Sequence, residues 1–189
     1  MYKLDLKLEV KRVSSMQVEE LIDIHRLLQY ASEAKPTYDR LLLVQTFICL
    51  SLNEKIAPDV DYDLIGVAGL SNSGWESSDR FRKLAKRAEY DITGSAMTYP
   101  QEMGFLCVHK QYQGRGFSKL LREKAFPLED ARLIDTYTVV REDNVKIRST
   151  NARYGCVQRG KPFKSSRGDY NLVLYTREFT KATPELRKA

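Results

Sequence analysis

Apolar and charged residues alternate at the start of the chain. Leu4, Leu6, Leu8 and Val10 share one face, and this period of two predicts a first strand with one wet side. The period then lengthens. Val18, Leu21, Ile22, His25 and Leu28 recur at helical spacing, with Ser14 and Gln17 as a capping box. Pro36-Thr37 interrupts the pattern and opens a second predicted helix with the stripe Leu41, Val44, Ile48 and Leu52. Pro58 and Asp59 mark a loop, and the apolar run Leu64 to Leu70, with its two glycines, reads as an interior strand. Phe81, Leu84, Ala85 and Ala88 form the stripe of a further helix. A buried strand then ends at Val108 and passes through a glycine-containing turn into a helix carrying Phe117, Leu120, Leu121 and Ala125, which Pro127 is expected to stop. Leu133 to Val140 is the next predicted strand. Asp143 caps a helix that Gly155 closes at C′, and Cys156–Phe163 with Tyr170–Phe179 make a hairpin around Ser165 to Asp169.

This order of elements predicts an α/β (α+β) fold in a single domain over 1–180, with a helical insertion at about 71–101 and a frayed tail over 181–189. The 189 residues suffice for a full core. The longest apolar run, Leu41 to Leu52, is broken by Gln45 and falls short of the roughly 20 residues that span a bilayer. Met1 to Val13 lacks an apolar h-region, so neither a signal peptide nor a membrane partner is expected. Cys49, Cys107 and Cys156 are odd in number, widely spaced and without a C-x-x-C, which argues against a disulfide framework or a zinc site and for a reducing, cytoplasmic location. Cys107 reads as a buried thiol in an apolar strand. His25 and His109 are isolated, so no metal is predicted.

The chemistry concentrates in the turn after Val108. A strand that enters a helix through Gly114 and Gly116 leaves several N–H groups unpaired at a positive helix end, where a phosphate or pyrophosphate fits. Two nucleotide motifs are excluded. Lys119 stands where a dinucleotide fingerprint needs its third glycine, and no Gly-Lys-Ser/Thr follows as a P-loop demands.

Gln111-Tyr112-Gln113-Gly114-Arg115-Gly116 resembles the acetyl-CoA signature of the GCN5-related N-acetyltransferases, Gln/Arg-x-x-Gly-x-Gly/Ala, at every fixed position. Val140 to Asn144, with Gly155 beyond, is similar to the family's second landmark, although Cys156 replaces the usual Phe. The resemblance covers roughly Leu64 to Phe179 apart from the insertion. It implies a mixed, mostly antiparallel central sheet flanked by helices, and acyl transfer from acetyl-CoA or another acyl-CoA to an amine-bearing substrate by direct attack. It places the pyrophosphate on the amides of Gln113, Gly114, Arg115, Gly116, Phe117 and Ser118, with Gln111 bracing the turn. By the same resemblance the Val108 N–H or its neighbour would face the thioester oxygen, and Asn144 would cap its helix or contact the cofactor arm. Beyond a bulge, the central strand splays from its neighbour to admit that arm.

Three catalytic positions follow. Glu102, at the start of the central strand, is the best-placed carboxylate to take the amine proton; an exposed strand-end carboxylate is the competing reading. Where many family members carry a proton-donating Tyr this chain has Asn151, which cannot act as an acid. Tyr154, almost one helical turn on, is the substitute, or water.

The net charge of +6 calls for an acidic partner, which CoA supplies in part. Arg80, Arg82, Lys83, Lys86 and Arg87 cover the insertion helix, fitting either a solvated surface or a basic rim for a nucleic acid. Trp75 and Tyr90 lie nearby as anchors or stacking groups. The alternative to an enzyme is therefore a catalytically impaired module that binds nucleic acid through this face.

Overall fold

The computed structural model describes residues 5–32, 35–52, 63–71, 75–92, 99, 101–132, 135–166 and 168–178. The chain forms two compact units, Met1–Asn72 with Met103–Ala125, and Ser73–Glu102 with Phe126–Ala189. The strands are mostly antiparallel, in the order β1-β2-β3-β4-β5-β7-β6.

In the first unit, β1 (Leu6–Arg12), β2 (Val44–Leu52), β3 (Leu64–Ser71) and the main part of β4 (Gln101–Val108) pair antiparallel in sequence order. The helix α1 (Val18–Ala31) buries Leu21, Ile24, Leu27 and Leu28 in a core with Phe47, Cys49, Val67 and Cys107. Two details of the predicted stripe change: Val18 is 60% and Ile22 37% exposed, because Ile24 and Leu27 set the inward face. The N-cap is Gln17, whose capping box closes with Glu20, not Ser14, which lies in a 3-10 turn at Val13–Ser15.

The second predicted helix is corrected. The helix α2 ends at Tyr38–Leu42, and Val44 to Leu52 is a strand. An apolar run fits either period, and its place between β1 and β3, with nearly every side chain buried, selects the strand. The Pro58-Asp59 loop lies outside the described residues.

In the second unit, the first two residues of β4 pair parallel with β5 (Thr136–Arg141). The hairpin β6 (Val157–Lys164) and β7 (Asn171–Arg177) joins β5 through β7. The insertion helix α3 (Trp75–Arg87) packs Phe81, Leu84, Ala85 and Ala88 with Tyr99, Tyr137, Phe163 and Leu174. The side chain of Trp75 and the tail 181–189 lie outside the described residues. The helix α4 (Phe117–Arg132) runs through Pro127 instead of stopping there; proline removes one backbone bond, and the turns on either side carry the helix past it. The helix α5 (Val145–Arg153) is capped by Asn144, whose Oδ1 accepts from Ile147 N–H at 3.2 Å; Asp143 is engaged by Arg141 instead. Gly155 closes α5 at φ 77°, with Cys156 N–H on Asn151 O and Gly155 N–H on Ala152 O, as a C-terminal glycine motif requires.

A bulge in β6 fastens the insertion. Gly160 adopts φ 62°, and Lys161 N–H donates to Ala88 O at 2.7 Å, while Lys161 Nζ meets Glu89 at 2.6 Å. A Cβ at Gly160 would lie 2.0 Å from Ala88 O. Gly160→Ala is therefore expected to lower stability by at least ~2 kcal/mol, from left-handed strain plus the clash. Urea unfolding measures it, and an unchanged midpoint would contradict the clamp.

Candidate functional site

The first unit builds its site at the end of β4. Between the pairs Val67↔Cys107 and Gly69↔Gly104 the register shifts, and Phe105 takes φ 52°, a bulge of two residues against one. Beyond the bulge, Val108 sits opposite Gly66, and His109 N–H donates to Ile65 O at 2.8 Å. That bond makes Gly66 and Val108 a non-hydrogen-bonded pair, so the N–H and C=O of Val108 point away from β3. In this unit β4 is an edge strand, and the Val108 N–H points to its side away from β3, in a residue that is itself buried. The Val108 C=O on the same side accepts from Gln113 Nε2 at 3.0 Å.

The chain then makes a 3-10 turn at Lys110–Tyr112 and enters α4 through Gly114 at φ 79° and Gly116 at φ 84°. Left-handed backbone at both positions turns successive N–H groups outward. Among the described residues, the N–H groups of Gly114, Arg115, Gly116, Phe117 and Ser118 have no acceptor. The turn is exposed from Lys110 to Gly116 except for Tyr112, and a Cβ on either glycine would meet nothing within 4 Å. Five donors at a helix N-terminus, with open space before them, form an anion cradle. Gln113 differs from expectation: its N–H bonds Lys110 O at 3.3 Å, and its side chain performs the bracing expected of Gln111. The Gln111 N–H instead donates to His109 Nδ1 at 3.4 Å.

An aromatic and cationic group supports this turn. His109 stacks on Tyr30 at 4.8 Å and meets Tyr112 at 5.7 Å. Lys110 lies over Tyr30 and Arg115 over Tyr112. Burial holds His109 below its ordinary value of 6.5. Burial also pushes the Cys49 and Cys107 thiols up to about 12, so neither is a nucleophile near neutral pH.

In the second unit, Glu102 is the last β4 residue paired with β5, opposite Tyr137. Its Oε1 lies 3.1 Å from Arg80 Nη2, and Tyr137 OH donates to Oε2 at 3.4 Å. Asn151 is fully buried. Tyr154 stacks on Phe126 at 4.4 Å, and its carbonyl accepts from Arg177 Nε at 2.9 Å. The cations of α3 are not a uniform face. Arg80 faces Glu102, Lys83 meets Asp79 at 2.6 Å, and Arg87 lies over Phe163 and donates to Lys164 O. Tyr90 lies under Arg159 at 5.5 Å. Among the described residues no group of His, Cys, Asp and Glu is placed to hold a metal, and no helix is long and apolar enough to cross a membrane.

No protein-family model matches the sequence, and neither does any curated protein. Solved structures do match. FeeM, an N-acyl amino acid synthase from uncultured soil microbes, aligns with TM-score 0.64 and 12% identity over 97% of this chain and 99% of that one. The fold is that of the GCN5-related N-acetyltransferases. NAA60 of Arabidopsis thaliana, solved in complex with acetyl-CoA, aligns at 0.62 and 12% identity, covering 91% and 99% of the two chains. The ribosomal-protein-S18-alanine N-acetyltransferase of Escherichia coli aligns at 0.59 and 10% identity, covering 94% and 97%. At such identities the GNAT likeness is one of fold.

Within that GNAT fold, sequence reasoning located the glycine turn and Val108, but not Phe105 at the bulge, the His109–Tyr30 stack or the partner of Glu102. His109 gives a pH test. A buried imidazole that resists protonation leaves the unfolded chain binding the extra proton, so stability is full above about 6.5 and falls as pH drops from there toward the lowered folded-state value. Unfolding midpoints from pH 7.5 to 5 are expected to decline, and less steeply in His109→Gln. Equal slopes for both proteins would refute this role.

Proposed function

We propose that the chain is an acyl-CoA-dependent N-acyltransferase that moves an acyl group, acetyl in the simplest case, to an amine by direct attack. The observation that carries this reading is the run of unaccepted N–H groups from Gly114 to Ser118, following a strand whose Val108 N–H faces an open edge. A diphosphate fits the first, and an extended amide-bearing arm added along the edge fits the second. Acyl-CoA, when bound, supplies an activated thioester carbonyl.

The residues then divide the work. The Gly114–Ser118 amides hold the diphosphate, helped by the charge of Arg115. The Val108 N–H donates to the thioester oxygen as negative charge grows there. Glu102 accepts the proton that the attacking amine must lose, directly or through one water. As the new C–N bond forms and the C–S bond breaks, the departing thiolate takes a proton from Tyr154 or from water. Asn151, a buried amide, has no part in that transfer. Asn144 caps α5 through Oδ1 and keeps its Nδ2 for the cofactor arm.

Amines are the acceptor class. Two of the structural matches carry this in their names, an S18-alanine N-acetyltransferase and a spermidine N-acetyltransferase. A nucleic-acid module is the less favoured reading: Arg80 and Lys83 pair with Glu102 and Asp79, although Arg82, Lys83, Lys86 and Arg87 stay exposed. Three free, buried cysteines accord with a reducing cytoplasm.

Calorimetry with acetyl-CoA tests the site. The unaltered protein is expected to bind, and Gly114→Glu to weaken binding by at least roughly 10-fold, since it places a carboxylate against the diphosphate and a side chain where the backbone must approach. Normal affinity in that variant would remove the cradle from the account.

A further inference from the structure

Glu102 lies where the parallel ladder between β4 and β5 ends. A glutamate at such a point has several free torsions, and ordering its side chain costs up to about 2 kcal/mol. A proton acceptor must nonetheless be held within hydrogen-bond reach of its target. Both oxygens of this carboxylate have a partner. Arg80 Nη2 stands 3.1 Å from Oε1, and the Tyr137 hydroxyl donates to Oε2 at 3.4 Å. The Glu102 side chain is only 16% exposed, so the ion pair is partly shielded from solvent.

The helix that carries Arg80 is held at both ends, although the Arg80 side chain itself is 42% exposed. Its neighbour Phe81 is buried, with its ring 4.5 Å from Tyr99 and 5.4 Å from Tyr137. The far end of α3 is fastened to β6, where Lys161 N–H binds Ala88 O and Arg87 donates to Lys164 O. Rotation of α3 that carried Arg80 off Glu102 would have to expel Phe81 and break these bonds. The helix thereby brings the cation of Arg80 to the strand-end carboxylate of Glu102.

We infer that Arg80 is a positioning residue for acyl transfer: the insertion helix, through Arg80, orients Glu102 to receive the proton of the acceptor amine. This rests on the transferase reading given above. It assigns the insertion a task in the chemistry, distinct from recruitment of a polyanion.

The test is steady-state turnover of acetyl-CoA with a panel of primary amines, read as release of the CoA thiol. Arg80→Met is expected to lower kcat roughly 10- to 100-fold, the scale on which a misplaced reacting group costs rate. The KM for acetyl-CoA should stay within about 2-fold, because Arg80 is not among the residues assigned to hold the cofactor. Arg80→Lys, which keeps the charge and loses the fork, should recover part of the rate and serves as the folded control. Glu102→Gln alone should cost about 100-fold or more, and adding Arg80→Met to it should cost nothing further. Undiminished turnover in Arg80→Met, or the same fractional loss with and without Glu102, would overturn the positioning role and leave the transferase reading intact. Acetyl-CoA binding with no thiol release by any amine in the unaltered protein would overturn the transferase reading and this role together.

Discussion

Five consecutive backbone N–H groups without protein acceptors are an arrangement that a folded chain sustains only in contact with water or an anion. Everything in the first unit serves to present them. The bulge at Phe105 shifts the register of β4 by one residue and so sets which peptide groups face β3 and which face outward. Gln113 ties the turn back to Val108, and His109 under Tyr30 supports its base. Gly114 and Gly116 then supply the left-handed conformations that turn the amides outward, and α4 adds the positive end of its dipole. The same register leaves the Val108 N–H on the open edge. A single backbone irregularity thus sets both the direction of the Val108 N–H and the approach of the chain to the glycine turn, the two features on which the proposed function rests.

The second unit solves a different problem, the fixing of side chains. Its insertion is an element with its own aromatic core, Phe81 against Tyr99 and Tyr137, and a backbone clamp at Gly160. Tyr99 also donates to the buried carboxylate of Glu178, which Arg159 meets at 2.7 Å. These contacts convert a segment rich in lysine and arginine into a rigid bracket, and the charge pattern that suggested a polyanion surface is partly consumed by Asp79 and Glu102.

The parts of this arrangement that were legible in the sequence are those fixed by local rules. Gly114, Gly116 and Gly155 occupy positions of positive φ, the conformation that glycine adopts without strain. The hairpin β6–β7 followed from its period and its turn residues. The parts that were not legible depend on partners distant in the chain. Val44 to Leu52 fits a helix or a strand until its neighbours β1 and β3 are in place. Pro127 ought to end a helix, yet the backbone of α4 continues to Arg132. Phe105 at φ 52° leaves no trace in the sequence, because a bulge is a property of a pair of strands. Arg80 and Glu102 read separately as a surface cation and a strand-end acid, and only the fold joins them.

On the proposed function, the amides from Gly114 to Ser118, with that of Val108, are the donors that bind acyl-CoA. Residue-resolved amide hydrogen exchange, with and without saturating acetyl-CoA, addresses it directly. The account predicts that these six amides exchange freely in the unliganded protein and become protected together when acetyl-CoA is added. Acetyl-CoA binding that leaves all six unprotected while slowing exchange elsewhere would contradict it.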